Sequence, residues 1–237
     1  MMRKVIAFSV RGQYAHFKKI YATTSAVSYM IPPKTTIYGY ISAILGFEKD
    51  EYLTHFQDKK CLIGLQICKP IIMQRINTNL RPVLGRLSET GNRKPTTIEY
   101  VYEPHYIFYI SHSDLDLMKE LEERLDKKSS VFTPTLGLAN MLSVFEFKGT
   151  FDVEEQSTSE IILVHSVIPN KKFVKLDEQA FLNNQNHIVE QSLFAIEMDL
   201  DRNVTERDDI ILDRSAQPIK AVVTNFYTIQ NENIILF

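Results

Sequence analysis

The chain has 237 residues, 44% hydrophobic and 24% charged, with two cysteines and a formal net charge of −2. That composition describes an ordinary globular protein of one domain or one and a half, with no apolar run near the ~18 residues of a membrane span and too few cysteines for a disulfide framework. The small net charge hides an asymmetry: residues 1–100 carry 15 Lys/Arg against 6 Asp/Glu, and residues 101–237 carry 12 against 23. A basic half joined to an acidic half predicts a polyanion on the first and a protein on the second, unless the fold interleaves the two.

The opening "MMRKVIAFSV" has the charged flank of a signal peptide, but its apolar run is only Val5 to Val10, is interrupted by Ser9 and precedes no small-residue cleavage site. It reads as a first strand over 4–10, which puts the protein in the cytoplasm. Residues 33–45 follow a helical pattern, with Ile37, Ile41, Ile44 and Leu45 on one face and Gly46 as the stop. Pro33 fits the first turn and Thr35 or Thr36 can cap it, so Lys34 and two hydroxyls gather at a positive helix N-terminus, a natural place for an anion.

The run "CLIGLQICKPIIM", 61–73, reads as a buried strand. Its Cys61 and Cys68, seven apart on such a strand, fall on opposite faces roughly 23 Å apart, which excludes a disulfide. Residues 105–111 form another strand. "SDLDLMKELEERL", 113–125, is an amphipathic helix with Ser113 as N-cap, Asp116 as its box partner, and Leu117, Leu121 and Leu125 in line. A further strand covers 141–153.

The order strand, helix, strand, strand, helix, strand predicts an α+β fold of split βαβ or ferredoxin-like type, an antiparallel sheet with two helices on one face. It occupies residues 1–155. A long insertion at about 72–103 carries Arg75, Arg81, Arg86, Arg93 and Lys94 and reads as a protruding hairpin that reaches for a phosphate backbone. Residues 156–237 read as a β-rich extension packed on the first part rather than an independent domain. Within it, 159–168, 192–200 and 209–213 look like strands, 177–191 looks helical, and the end resembles a hairpin turning near Asn231.

Familiar catalytic and nucleotide-binding motifs are missing: no Walker-A loop, GxGxxG, GxSxG, HExxH or paired CxxC. The six histidines never fall at helical ligand spacing, so neither a metal nor a cofactor is expected. What remains is residues 11–39, where Arg11, Lys18, Lys19 and Lys34 interleave with Tyr14, Phe17, Tyr21, Tyr29 and Tyr38, and with hydroxyls that include Thr24, Ser25 and Thr35. Cations for phosphates, rings for splayed bases and hydroxyls for 2′-OH groups are the vocabulary of single-stranded RNA recognition, with about 1–3 kcal/mol per stacked base. A second reading is metal-independent RNA cleavage by His16 with Lys18 or Lys19 and Tyr29. A third makes the acidic half a protein-interaction scaffold with incidental RNA contact.

The stretch "VRGQYAHFKKIYATTSAVSYMIPPKTTIYGYISAILG" resembles the N-terminal signature of the CRISPR-associated protein 5 family of the RAMP superfamily. The match is dense over 8–46 and looser through 61–70 to "TPTLGLANML", where the family carries a G-loop and this chain has the single glycine Gly137. The resemblance implies a modified ferredoxin-like (RAMP/RRM-like) fold with a long thumb hairpin, in a non-catalytic subunit of a type I surveillance complex, Cascade, of I-B-like subtype. That subunit would hold the 5′ handle of the CRISPR RNA (crRNA), cap the backbone-subunit filament and meet the large subunit, and target DNA would be read by base pairing. It makes Tyr14, His16, Lys18, Lys19, Thr24, Ser25, Tyr29 and Lys34 handle contacts and the hairpin arginines a clamp. It also fits a separate endonuclease that processes precursor RNA.

Overall fold

A computed structural model describes residues 2–19, 26–57, 60–80, 94–177 and 187–237, with the side chains of Leu80 and Lys94 left aside. The chain enters on β1 (Met2–Gly12), followed by the short strands β2 (Tyr14–Ala15), β3 (Phe17–Lys18) and β4 (Ser28–Tyr29). Helices α1 (Lys34–Leu45) and α2 (Tyr52–Phe56) lead to β5 (Cys61–Ile67). A long hairpin of β6 (Ile72–Leu80) and β7 (Lys94–Tyr102) precedes β8 (His105–His112), α3 (Leu115–Asp126) and β9 (Ser143–Gln156). The rest is mostly strand: β10 (Ile162–Val164), β11 (Ile168–Pro169), β12 (Phe173–Leu176), β13 (Ile188–Met198), β14 (Val204–Asp213), β15 (Ile219–Val223), β16 (Phe226–Ile229) and β17 (Glu232–Ile234).

The architecture is α+β, built on a nine-stranded sheet in the order β12-β15-β10-β17-β16-β9-β1-β8-β5. Its pairings are antiparallel except for one bridge between Val164 and Asn233. β1 is central and buried on both faces, which is why "VIAFSV" is a continuous apolar run rather than an alternating one. Ile6, Phe8 and Val10 pack with Ile37, Ile41 and Ile44 of α1 and Leu117, Leu121 and Leu125 of α3. Val5 and Ala7 face the other way, toward Tyr109, Tyr227, Ile229 and Ile234. The sheet curls until Phe237 exchanges both backbone hydrogen bonds with Ile63, at 3.0 and 3.1 Å. That covers the β5 edge, which would otherwise offer unpaired backbone groups to other chains.

The C-terminal part does two things at once. β16 pairs with β9 and extends the sheet, while β11, β14 and β13 form a separate three-stranded sheet. That smaller sheet sends Phe194, Ile196, Ile210 and Leu212 into the core shared with α1. The terminal hairpin turns at Gln230 and Asn231, both at positive φ (49° and 69°), as a two-residue primed turn requires.

Several expectations shift in detail. The apolar run 61–73 is two strands: β5 stops at Ile67, just before Lys69–Pro70, where proline removes a ladder donor and biases its predecessor. α3 is capped by Asp114 rather than Ser113, and Asp114 accepts from the amides of Asp116 and Leu117. The strand expected over 159–168 breaks into β10 and β11 around Ser166, whose hydroxyl accepts the Ile235 amide at 2.8 Å. Of the stretch read as helical, 177–191, residues 178–186 lie outside the described residues, and Ile188 onward is β13. Both cysteines are free, with Cys61 buried and Cys68 partly so. Burial holds the Cys61 thiol up at about 12. Among the described residues no helix is long and apolar enough to cross a membrane.

Candidate nucleic-acid interface

The cross-strand registers at one end of the sheet set up a continuous surface. Arg11, exposed at the end of β1, sits opposite His105 on β8 and Val144 on β9. Three residues on, Tyr14 of β2 pairs with Tyr102 at the base of the β6–β7 hairpin. Because Tyr100 lies two residues before Tyr102 on β7, both rings face Tyr14, with centroids 5.8 and 5.4 Å away. The Tyr14 hydroxyl donates to Gln74 Oε1 at 3.4 Å. Farther along, Arg75 of β6 stands opposite Glu99 of β7. Its side chain is 72% exposed and bonds Glu99 Oε2 at 3.2 Å.

Glu99 ties this surface to the segment that follows β1. Its carbonyl lies 2.7 Å from His16 Nδ1, its amide donates to Ala26 O at 2.8 Å, and its Oε1 accepts from the Ser28 amide at 3.3 Å. His16 is 5% exposed, with Tyr100 at its edge. The 133–142 loop lies on the same backbone: the His16 amide donates to Leu136 O. Gly137, at φ +101°, comes so close that a Cβ there would stand 1.9 Å from His16 O. Glycine is therefore required at 137 by a backbone approach.

Beside Arg11 opens a cavity of ≈480 Å³ lined by Lys69, Glu103, His105, Leu142 and Val144. Lys69 pairs with Glu103. Desolvation, then the charges of Arg11 and Lys148, hold His105 below the usual histidine pKa. Among the described residues no cluster of three or more His, Cys, Asp or Glu could hold a metal ion.

The residues singled out from the sequence fall into three groups. Arg11, Tyr14, Lys18 and Arg75 reach the surface or its edge, and Lys19 lies with its Nζ 5.5 Å from the Tyr29 ring. His16, Tyr29 and Lys34 are interior. The Tyr29 hydroxyl donates to Leu193 O at 2.9 Å. Lys34, 2% exposed, places Nζ 3.1 Å from Glu197 Oε1 of β13, over the rings of Tyr38 and Phe237. The anion that meets Lys34 is thus a carboxylate of the same chain. With His16 and Tyr29 buried against carbonyl groups, the trio His16, Lys18 and Tyr29 does not present an open acid–base pair. Tyr21, Thr24, Ser25, Arg81, Arg86 and Arg93 lie outside the described residues, as does the side chain of Lys94.

Sequence reasoning missed Tyr102, Gln74 and His105 as members of this surface, and Tyr100, 8% exposed, as the buried ring against Tyr14. The available signal was the i, i+2 pair of tyrosines in "EYVY", which a hairpin strand puts on one face.

Residues 5–144 match the family described as CRISPR-associated protein (Cas_Cas5). No curated protein matches the sequence. Among solved structures, a CRISPR protein from Archaeoglobus fulgidus is similar with a TM-score of 0.53 at 12% identity, over 99% of this chain and 98% of that one. A chain in the Type III-B Cmr-beta complex bound to cognate target RNA and AMPPnP is similar with a TM-score of 0.50 at 14% identity, over 92% and 86%.

Proposed function

The chain belongs to the Cas_Cas5 family of CRISPR-associated proteins, and from that premise we propose that it is a non-catalytic RNA-binding subunit of a type I surveillance complex. It holds the 5′ handle of the crRNA, caps the backbone-subunit filament and meets the large subunit, while target DNA is read by base pairing. The β9-β1-β8-β5 part of the sheet, with α1 and α3 on one face, is then the modified ferredoxin-like unit, and the β6–β7 hairpin is its thumb.

The observation that carries the reading is the run of Arg11, the partly exposed rings of Tyr14 and Tyr102, with the buried Tyr100 edge-on to Tyr14, and Arg75, which puts cations on either side of an aromatic pair at the base of the β6–β7 hairpin. Such a surface binds a single strand by neutralising phosphates and stacking bases. Arg81, Arg86, Arg93 and Lys94 belong to the same hairpin by sequence, and Lys18 and Lys19 extend the charge along the neighbouring segment. Tyr21, Thr24 and Ser25 join them in this proposal.

The test is a gel-shift of the purified chain with end-labelled CRISPR repeat RNA and a scrambled control, in EDTA. The expected result is intact RNA held in preference to the scramble, with a smaller salt slope and weaker binding for Arg75→Glu, and a loss of about 1–3 kcal/mol for Tyr102→Ala. Cleavage at one position, abolished by His16→Ala, would replace this reading with an endoribonuclease. Equal binding of both RNAs by wild type and variants would leave the protein-scaffold reading.

A further inference from the structure

A second cavity, of ≈310 Å³, opens at the end of the sheet where β1 begins, the end away from Arg11. Arg3, Leu62, Glu155, Tyr227 and Phe237 line it from the curled sheet and its closing strand. Lys34 of α1 and Ile196, Glu197, Glu206 and Asp208 of the smaller sheet complete the wall. Such a junction, at the mouth of a curled sheet and between two packed layers, is a common place for a small ligand.

The lining divides into an inner and an outer zone. The inner zone is apolar and covered: Ile196 is 7% exposed, and Leu236 and Tyr227 are 3%. The Phe237 ring lies beside them and covers the Lys34 ammonium, which Glu197 already neutralises. The outer zone is charged and reaches solvent, with Arg3, Lys171 and Lys172 against Glu155, Glu206 and Asp208. Each of these carboxylates is held in place by the chain. Glu155 accepts from Asn225, Glu206 pairs with Lys171, and Asp208 accepts the amides of Lys171 and Asp209 at 3.2 and 2.9 Å. A carboxylate offers about four acceptor positions, so all three keep capacity for a further donor. On the other side, Arg3 meets the Tyr227 hydroxyl, and Lys172 has no ion-pair partner among the described residues.

Three cations against three carboxylates discriminate among occupants. A simple anion would face all three carboxylates, and a simple cation all three basic groups, whereas a molecule carrying both charges uses both sets. At about 30 Å³ per water-sized unit, the space takes roughly ten non-hydrogen atoms, too few for a nucleotide. We infer that this cavity binds a free α-amino acid with a large apolar side chain. Its carboxylate lies toward Arg3 and Lys172, its ammonium among Glu155, Glu206 and Asp208, and its side chain runs inward over the Phe237 ring. The site is separate from the RNA surface and does not depend on the RNA-binding reading.

The full-length chain is titrated calorimetrically with L-phenylalanine, L-leucine and glycine, and with phenylpropionate and phenethylamine, which each lack one of the two charges. L-Phenylalanine and L-leucine are expected to bind and to raise the melting midpoint, and glycine to do neither. Each truncated analogue should bind roughly three- to tenfold more weakly than L-phenylalanine, the effect of one lost charge-assisted hydrogen bond. Two variants then assign the ends of the ligand. Arg3→Gln should weaken L-phenylalanine and leave phenethylamine unchanged, and Glu206→Gln should weaken L-phenylalanine without weakening phenylpropionate. A purely structural role for either residue would shift all three compounds alike, and the melting midpoint without ligand shows that each variant folds. If L-phenylalanine binds no better than glycine, the inference is overturned. Equal binding of L-phenylalanine and both analogues would overturn it in favour of a pocket that reads apolar volume alone. L-Phenylalanine bound equally by wild type and both variants would place the binding elsewhere on the chain and overturn it as well.

Discussion

α1 and α3 are both twelve residues long and pack on the same face of the sheet, yet they are specified in different ways. α3 buries one stripe, Leu117, Met118, Leu121 and Leu125, and solvates the rest. It has a side-chain cap at Asp114 and two i, i+4 ion pairs, Glu120–Arg124 and Glu123–Lys127. α1 has nine of its twelve residues buried, Lys34 and Thr35 among them, and no side-chain cap. What completes α1 comes from more than 150 residues away: Glu197 meets Lys34, and Phe194 and Ile196 of β13 cover its flank. One helix is written in its own sequence, and the other is written jointly with a distant strand.

The sharpest way to break that comparison is Glu197→Ala. It leaves the Lys34 ammonium buried without its carboxylate, which should cost ~3–5 kcal/mol of unfolding free energy in a urea melt. The pair of changes Lys34→Met with Glu197→Leu should recover most of that loss, because well-packed apolar residues often replace a buried ion pair without penalty. A double variant as unstable as the single one would mean that the loss is in β13 packing and not in the stranded charge.

Asp114→Ala acts on α3 alone and should cost about 1 kcal/mol, the usual value of an N-cap. The amide of Leu117 above all, with that of Asp116 and the nearby histidines, holds the Asp114 carboxyl below its ordinary pKa. A depressed folded pKa gives stability that is present above the unfolded value, about 3.9, and is lost as pH falls through the folded one. The gap between wild type and Asp114→Ala should therefore be steady from pH 5 to 8 and close on further acidification. Gly39→Ala is smaller and opposite in sign: α1 should gain roughly 0.5–1 kcal/mol, since the new methyl has open space.

The same contrast explains what could be read in advance. β1, α1, β5, β8, α3 and β9 follow from local patterns: apolar runs, a 3.6-residue stripe, Gly46 at φ +90° as a stop. The hairpin at 72–103 followed from its length and turn residues. Its tyrosine cluster did not, because Tyr14 and Tyr102 meet through a pairing 88 positions apart, and no local pattern states a register. Lys34 was legible as a cation at a helix start but not as an interior one, since its partner lies on a strand that pairs only with other late strands. The charge asymmetry of the two halves is likewise partly internal: Lys34 of the basic half pairs with Glu197 of the acidic half, and Lys69 with Glu103.

The smallest effect separates the two helices by salt. Glu120 Oε1 lies 2.8 Å from Arg124 on the outer face of α3, with the side chains 48% and 29% exposed. Glu120→Gln should cost only about 0.2–0.5 kcal/mol at low salt. At 1 M salt the Debye length falls to about 3 Å, so wild type and Glu120→Gln should become indistinguishable in urea melts. The Lys34–Glu197 pair, at 2% and 14% exposure, lies where ions do not reach. Its loss should therefore read the same in 0.05 and 1 M salt. If the Glu197→Ala penalty also faded with salt, the interior of α1 would be wetter than its packing requires, and the joint specification of that helix by β13 would have to be reargued from apolar contacts alone.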